Sequence, residues 1–389
     1  MERMKTDKNV VASAAGPVFA AEKKVEYLEL IYDLIFVYII GRNNSLLQSL
    51  GNGFVPWRTF AAYVLFTLAV IQIWNFSTFY INMFGRNGVR DHIFLFVNMY
   101  LLYYIGEGTR LHWENFHTQY HIAWALILIN IGLQYLIEIR NHSTQPEIMK
   151  TIRGMMVVLF GEAALVLFAI PTSEWPFPVF SLLAVLFGIC MAWLFADEKK
   201  AHLVDFTHLS ERAMLYVVFT FGEMIIAIAS YFEGSLSFGS VYFSAMAFLI
   251  VTALFLGYEI LYNYIIDRDR TTTGMFYMLT HVFLIFAMNN LTIALEFMRD
   301  ERVALVPKTW FLTGSFLLYY VCLFTLMRYA KKGKGLCPRF VVPLMVLGGV
   351  FVALMILLQG YMRVNIFVSV MFVYAMFMRI YVFGKKVGQ

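Results

Sequence analysis

Apolar runs, most of about 20 residues and long enough for a helix to cross a bilayer, alternate with short polar connections along nearly the whole chain, and they allow ten, eleven or twelve spans, of which twelve is the expectation. They lie near 27–48, 58–81, 92–106, 120–139, 153–171, 177–195, 212–232, 241–264, 275–297, 309–328, 340–359 and 364–383, the third short and the first carrying acids. Helices are the open-ended structure that satisfies backbone polar groups in lipid. The pattern therefore predicts an all-α, polytopic integral membrane protein of about 12 transmembrane helices. Residues 1–24 read as a polar, basic tail around a weak apolar stretch, Val10 to Ala21. Gly16, Pro17 and the lack of Leu or Ile there argue against a cleaved signal peptide.

Composition agrees. Of 389 residues, 60% are hydrophobic and 14% charged. That excludes a soluble globular enzyme, a disordered chain and a nucleic-acid-binding one, since the 30 Lys and Arg form no single basic domain. Cys190, Cys322 and Cys337 have neither metal-ligand nor disulfide spacing. No cofactor or metal site is expected.

The distribution of charge sharpens the topology. Seven of the 30 cations (Arg42, Arg58, Arg110, Arg299, Arg302, Lys308, Arg363) fall on one side of a twelve-span layout, and the other 23 share the side of the termini. Such asymmetry predicts two cytoplasmic termini in a plasma membrane. Trp57, Trp113, Trp175 and Trp310 fall at span ends on the external side, where an amphipathic ring suits the interface.

Sliding the chain on itself by about 184 to 188 residues lays Trp74-Asn75 on Tyr258-Glu259, the Arg86 loop on the Arg270 loop, and Arg140 on Arg328. The expectation is two six-helix repeats, 25–200 and 201–389, inserted in parallel orientation about an axis along the membrane normal.

Ionisable groups in hydrocarbon cost at least ~2.5 kcal/mol, so they face a cavity or a partner. Glu26, Glu29 and Asp33 fall on one helical face of the first span. Counting about 1.5 Å per residue places Asp33, Asn75, Asn98, Glu259 and His281 in one layer of the cytoplasmic third. Glu162, Glu223 and Asn130 fall nearer the middle. Glu29, Asp33, Asn75, Asn98, Glu162, Glu223, Glu259 and His281 are thus the candidate ion- or substrate-binding residues. The bland alternatives are interfacial ion pairs for the acids and interhelical hydrogen bonds for the rest. His112, Glu114, His117 and His121 read as an exposed external loop before they read as a metal site, and His202, Asp205 and His208 carry the same discount. No hydrolase elbow, zinc helix or phosphate loop occurs.

The string Glu29-Leu30-Ile31-Tyr32-Asp33-Leu34-Ile35-Phe36-Val37 resembles the opening motif of the bacterial low-temperature-requirement protein A family. His208-Leu209-Ser210-Glu211-Arg212, then Leu215 and Phe221-Gly222-Glu223-Met224, resembles its midpoint motif. Ile31 stands where the family is usually aromatic, and Met224 where it tends to have Ser. The resemblance implies a polytopic bacterial membrane protein and nominates Glu29, Asp33, Glu211, Arg212 and Glu223 as signature positions. Glu211 and Arg212 are expected to serve as a structural ion pair at a helix start, with Arg212 placed to neutralise an acid of the first span. The functional expectation is a non-enzymatic secondary transporter, proton- or cation-coupled, that moves an unknown small solute or ion across the lipid bilayer. A passive cation channel and an accessory protein of cold adaptation are the alternatives. The oligomeric state is left open.

Overall fold

The computed structural model describes residues 23–108, 113–172, 178–195, 198–232 and 237–386. The N-terminal stretch from Val10 to Ala21, His112 and Trp175 lie outside these residues, as do the side chains of Trp113 and Glu114.

Twelve α-helices form in order among the described residues: α1 (Tyr27–Asn43), α2 (Trp57–Phe84), α3 (Val89–Gly108), α4 (Trp113–Asn141), α5 (Pro146–Ala169), α6 (Val179–Phe195), α7 (Phe206–Ile228), α8 (Phe238–Ile260), α9 (Met275–Arg299), α10 (Leu305–Leu326), α11 (Pro338–Leu357) and α12 (Met362–Lys386). Among the described residues two isolated β-bridges stand in place of any strand. Local chemistry sets several starts. Asp205 caps α7 by accepting from the His208 amide, and Ser237 caps α8 in the same way from Ser240. Pro146 and Pro338 open α5 and α11, where a missing N–H is harmless. Gly274, at φ +64, makes the left-handed turn into α9.

Eight helices are long and apolar enough to cross a membrane, and α6 is a shorter apolar helix. α7 falls outside that set because it carries Glu211, Arg212 and Glu223; α1, 17 residues long and carrying Glu29, Asp33 and Arg42, falls outside it too, as does α3. Around the outside, Phe96, Tyr100, Phe248, Met345, Val350 and Leu357 are exposed, an apolar surface suited to lipid and costly in water.

The neighbours within each half correspond in part. α1 packs on α2 and α3, and α7 packs on α8 and α9. Burial does not correspond. The most apolar window of α2 is 89% buried, that of α8 33%. The reason is a one-sided seam: α2 packs on both α7 and α9, and among the described residues α3 makes no comparable contact with α8.

Hydrogen bonds define the two ends of the bundle. At one end the Lys23 amide donates to Asp205 (2.9 Å) and Thr207 donates to the Arg268 carbonyl (3.1 Å). Lys334 there donates to the carbonyls of Tyr264 (2.9 Å) and Gly384 (3.0 Å), so the entry to α1 and the exit of α12 share this end. At the other end the Ala304 amide donates to the Gly53 carbonyl (2.7 Å), and Trp57 lies exposed at the start of α2.

Candidate functional site

α1 turns Glu29, Tyr32, Asp33 and Phe36 inward, the i, i+3, i+4, i+7 spacing of one helical face. Glu26 precedes the first turn as its N-cap and stays outside this set. Across the seam, α7 turns His208 and Arg212 inward, also four residues apart, and both are fully buried. The two faces meet. Arg212 Nη2 bonds Asp33 Oδ1, Nε donates to Asp33 Oδ2 (3.4 Å), and Nη1 lies 3.3 Å from Glu29 Oε2. α2 adds the Trp74 indole N–H, which donates to Asp33 Oδ1 at 2.8 Å, with its ring packed on Tyr216. Arg212 thus neutralises acids of the first span, as expected. It does so in place of a pair with Glu211, which makes no ion pair among the described residues, because the four-residue step to His208 points Arg212 inward and Glu211 elsewhere.

His208 completes the ring. The Asp205 amide donates to Asn82 Oδ1 (3.1 Å), which fixes the Asn82 amide the other way round toward the Asp205 carbonyl (2.8 Å) and His208 Nδ1 (3.0 Å). An amide NH₂ only donates, so His208 Nδ1 accepts and the ring is the neutral tautomer with its proton on Nε2. Nε2 lies 3.2 Å from Glu29 Oε2. Glu29 Oε2, His208 Nε2 and Arg212 Nη1 therefore converge at ion-pair distance, and none of the three has a partner in good hydrogen-bond geometry. The ring itself holds two carboxylates, one guanidinium and one neutral imidazole: one negative charge in excess.

Lys23 stands just outside it. Its ammonium donates to the carbonyls of Ile81 and Gly85 (2.6 Å to the latter), closing the C-terminal end of α2. Burial holds the Lys23 ammonium below the usual lysine range, with the Glu29 charge acting in the opposite direction.

A family model, bacterial low temperature requirement A protein (LtrA), matches residues 24–376. The chain belongs to the LtrA family. A search of curated proteins finds no match. The ring at α1, α2 and α7 is built largely from the two LtrA-like strings of this chain, since Glu29 and Asp33 lie in the first and His208 and Arg212 in the second.

The other expected residues fall in separate places. Asn98 donates to the Tyr32 hydroxyl (3.3 Å), which also bonds Ser77 (2.8 Å), and Asn130 donates to Asn98 (2.9 Å); this chain of neutral groups backs the ring on α1. Asn75 is buried on α2, its carbonyl oxygen without a partner. His281 bonds the Tyr258 hydroxyl (3.0 Å) and the Tyr277 carbonyl (2.9 Å), both in the second half. Glu259 is exposed, so the expected single polar layer does not form around it. Depth along a helix fixes height but not the direction a side chain takes around the axis, and Glu259 points outward.

Glu223 differs most from expectation. It lies half-buried against Gly41 near the far end of α1, where it feels the charge of Arg42. That is 11 residues beyond Arg212, about 16 Å along α7, so Glu223 and Asp33 do not share one site. Glu162 is fully buried elsewhere, with Gln72 donating to it at 3.1 Å. His121 is buried and bonded to Ser181 (2.8 Å), and among the described residues no group of three His, Cys, Asp or Glu could hold a metal.

Sequence reasoning discounted His208 and gave no site role to Trp74 or Gln72. His208 carried a legible signal, since it stands four residues before Arg212 in the string His208–Arg212. Trp74 and Gln72 carried none, because their roles arise only where α2 meets α1 and α5.

Proposed function

We propose that this LtrA-family chain is a secondary transporter, non-enzymatic and coupled to protons or another cation, with the ring at α1, α2 and α7 as its charge-switching element. The single observation that carries the reading is the excess negative charge of a buried ring between the two halves. A charge in excess inside a buried ring is costly even with the Lys23 ammonium just outside it, and a proton or small cation arriving at Glu29 relieves it. Neutralising Glu29 weakens its hold on Arg212, and the α1–α7 seam loosens. The twelve helices are read as spans, arranged as two six-helix repeats, and the basic end as cytoplasmic in a bacterial plasma membrane. The shared neighbours of α1 and α7 and the distribution of Lys and Arg support that arrangement.

The test is flux. Purified protein is reconstituted in liposomes with an internal pH dye, and a solute panel is screened for pH change. Wild type is expected to give a solute-dependent signal that Glu29→Gln abolishes while keeping its melting temperature within a few degrees. If no solute distinguishes the two proteins, the transport reading is rejected.

A second reading has its own observation. Asp33 is fully buried and bonded by both Arg212 and Trp74, the arrangement of a fixed strut. As an accessory protein the chain would lose stability on Asp33→Asn and show no flux at all.

A further inference from the structure

Glu162 sits on α5 against α2 and α6, and among the described residues its surroundings hold no counter-charge. α6 carries no charged residue from Val179 to Phe195, and α2 carries none after Arg58. On α5 itself Glu147, Lys150 and Arg153 lie more than two turns away toward its start. On α4, Glu138 is engaged by Arg90 (2.6 Å), His121 by Ser181, and Arg140 stands at the same end as Glu138.

The hydrogen-bond account around Glu162 is incomplete in one direction only. Gln72 Nε2 donates to Glu162 Oε2 (3.1 Å) and, at 3.4 Å, to the Val185 carbonyl, which fixes the amide orientation. Two buried acceptors, Glu162 Oε1 and Gln72 Oε1, are left with no donor. What the group lacks is one hydrogen. Gly188 of α6 closes the third side: a Cβ there would run into both Glu162 Oε2 and Gln72 Nε2. With the walls that close, a metal cation and its ligand shell do not fit.

We infer that Glu162 is a proton-binding site, held as the neutral carboxylic acid with the proton on Oε1 and Gln72 Oε1 as its acceptor. An acid and an amide complement each other in this form, each giving one hydrogen bond and taking one. A buried carboxyl group with no cation neutralises itself by protonation. The inference is independent of transport, because the proton is needed whether or not the chain moves a solute.

Infrared spectroscopy of the reconstituted full chain at neutral pH tests it. Wild type is expected to show the carbonyl stretch of an un-ionised carboxylic acid, and Glu162→Gln to lose it. Absence of the band in wild type, or its survival in Glu162→Gln, overturns the proposal. So does a wild-type melting temperature that rises with added sodium or potassium and stops responding in Glu162→Gln, the mark of a metal cation site. Should Glu162→Gln fail to accumulate, Gln72→Leu keeps the acid and removes its acceptor. The band is then expected to persist at higher wavenumber, and an unmoved band overturns the pairing.

Discussion

The α1–α7 seam carries opposite charges at both of its ends, with the roles exchanged. At one end α1 supplies the acids, Glu29 and Asp33, and α7 the cation, Arg212. At the other, α7 supplies the acid, Glu223, and α1 the cation, Arg42. The first set is buried and bonded directly. The second is half-buried: among the described residues no ion pair joins Glu223 to Arg42, whose guanidinium donates to the Tyr38 hydroxyl (2.9 Å) and lies 5.0 Å from that ring. The same residue types therefore act differently. Sealed from water, removing either partner strands the other; near the interface, water replaces whatever is lost.

The largest expected effect is at the sealed end. Arg212→Met leaves Asp33 and Glu29 buried without a cation and should cost about 3–5 kcal/mol, read as a fall in melting temperature in detergent. Adding Asp33→Asn and Glu29→Gln to it should recover much of the loss. Strict additivity of the three changes would break the comparison, because it would mean that the groups do not sense one another.

Next comes a neutral junction between α2 and α9, where the Tyr63 hydroxyl donates to Asn290 (2.6 Å) and accepts from Asn289 (2.9 Å), which also reaches Asn44 (2.9 Å). Tyr63→Phe should cost about 1–2 kcal/mol through two stranded amide groups. A denaturation series comparing it with Arg212→Met separates charge from hydrogen bonding.

At the half-buried end, Glu223→Gln should change stability by no more than about 1 kcal/mol. The change should fade at high salt, since screening acts on exposed charges. A salt-independent loss matching that of Arg212→Met would remove the distinction between the two ends. The smallest effect is Gly41→Ala. Its Cβ would approach Glu223 Oε1 to 2.6 Å, but that atom is the tip of a side chain free to swing away. The gain of about 1 kcal/mol in helix propensity offsets the displacement, and melting should barely move.

How much of this was legible follows from the same physics. The twelve helices were readable because most apolar runs are long and several boundaries carry Pro, Gly or capping residues, as at Pro146, Asp205, Ser237, Gly274 and Pro338. The cost of buried carboxylates said that a cation must lie near the first-span acids, and the likeness to the family's midpoint motif pointed to Arg212 as that cation. Glu259 was misjudged because it lies at a helix end, where a side chain reaches polar surroundings and need not turn inward. Glu223 was placed near mid-span because sequence gives depth only after the true helix start is known, and α7 begins at Phe206, six residues before the apolar run. His208 was discounted as a connector residue for the same reason. The neutral tautomer of its ring, and with it the excess charge, depends on Asn82 lying 126 positions earlier in the chain.

Arg212 follows Asp33 by 179 residues, and that distance has a consequence for biogenesis. At about 5–20 residues per second, ribosomal synthesis delivers the cation roughly 10–35 s after the acids it must neutralise. During that interval the acids of α1 have no Arg212 guanidinium to neutralise them. The final packing of α1 therefore falls after α7 emerges, with Glu29 and Asp33 kept in polar surroundings until then.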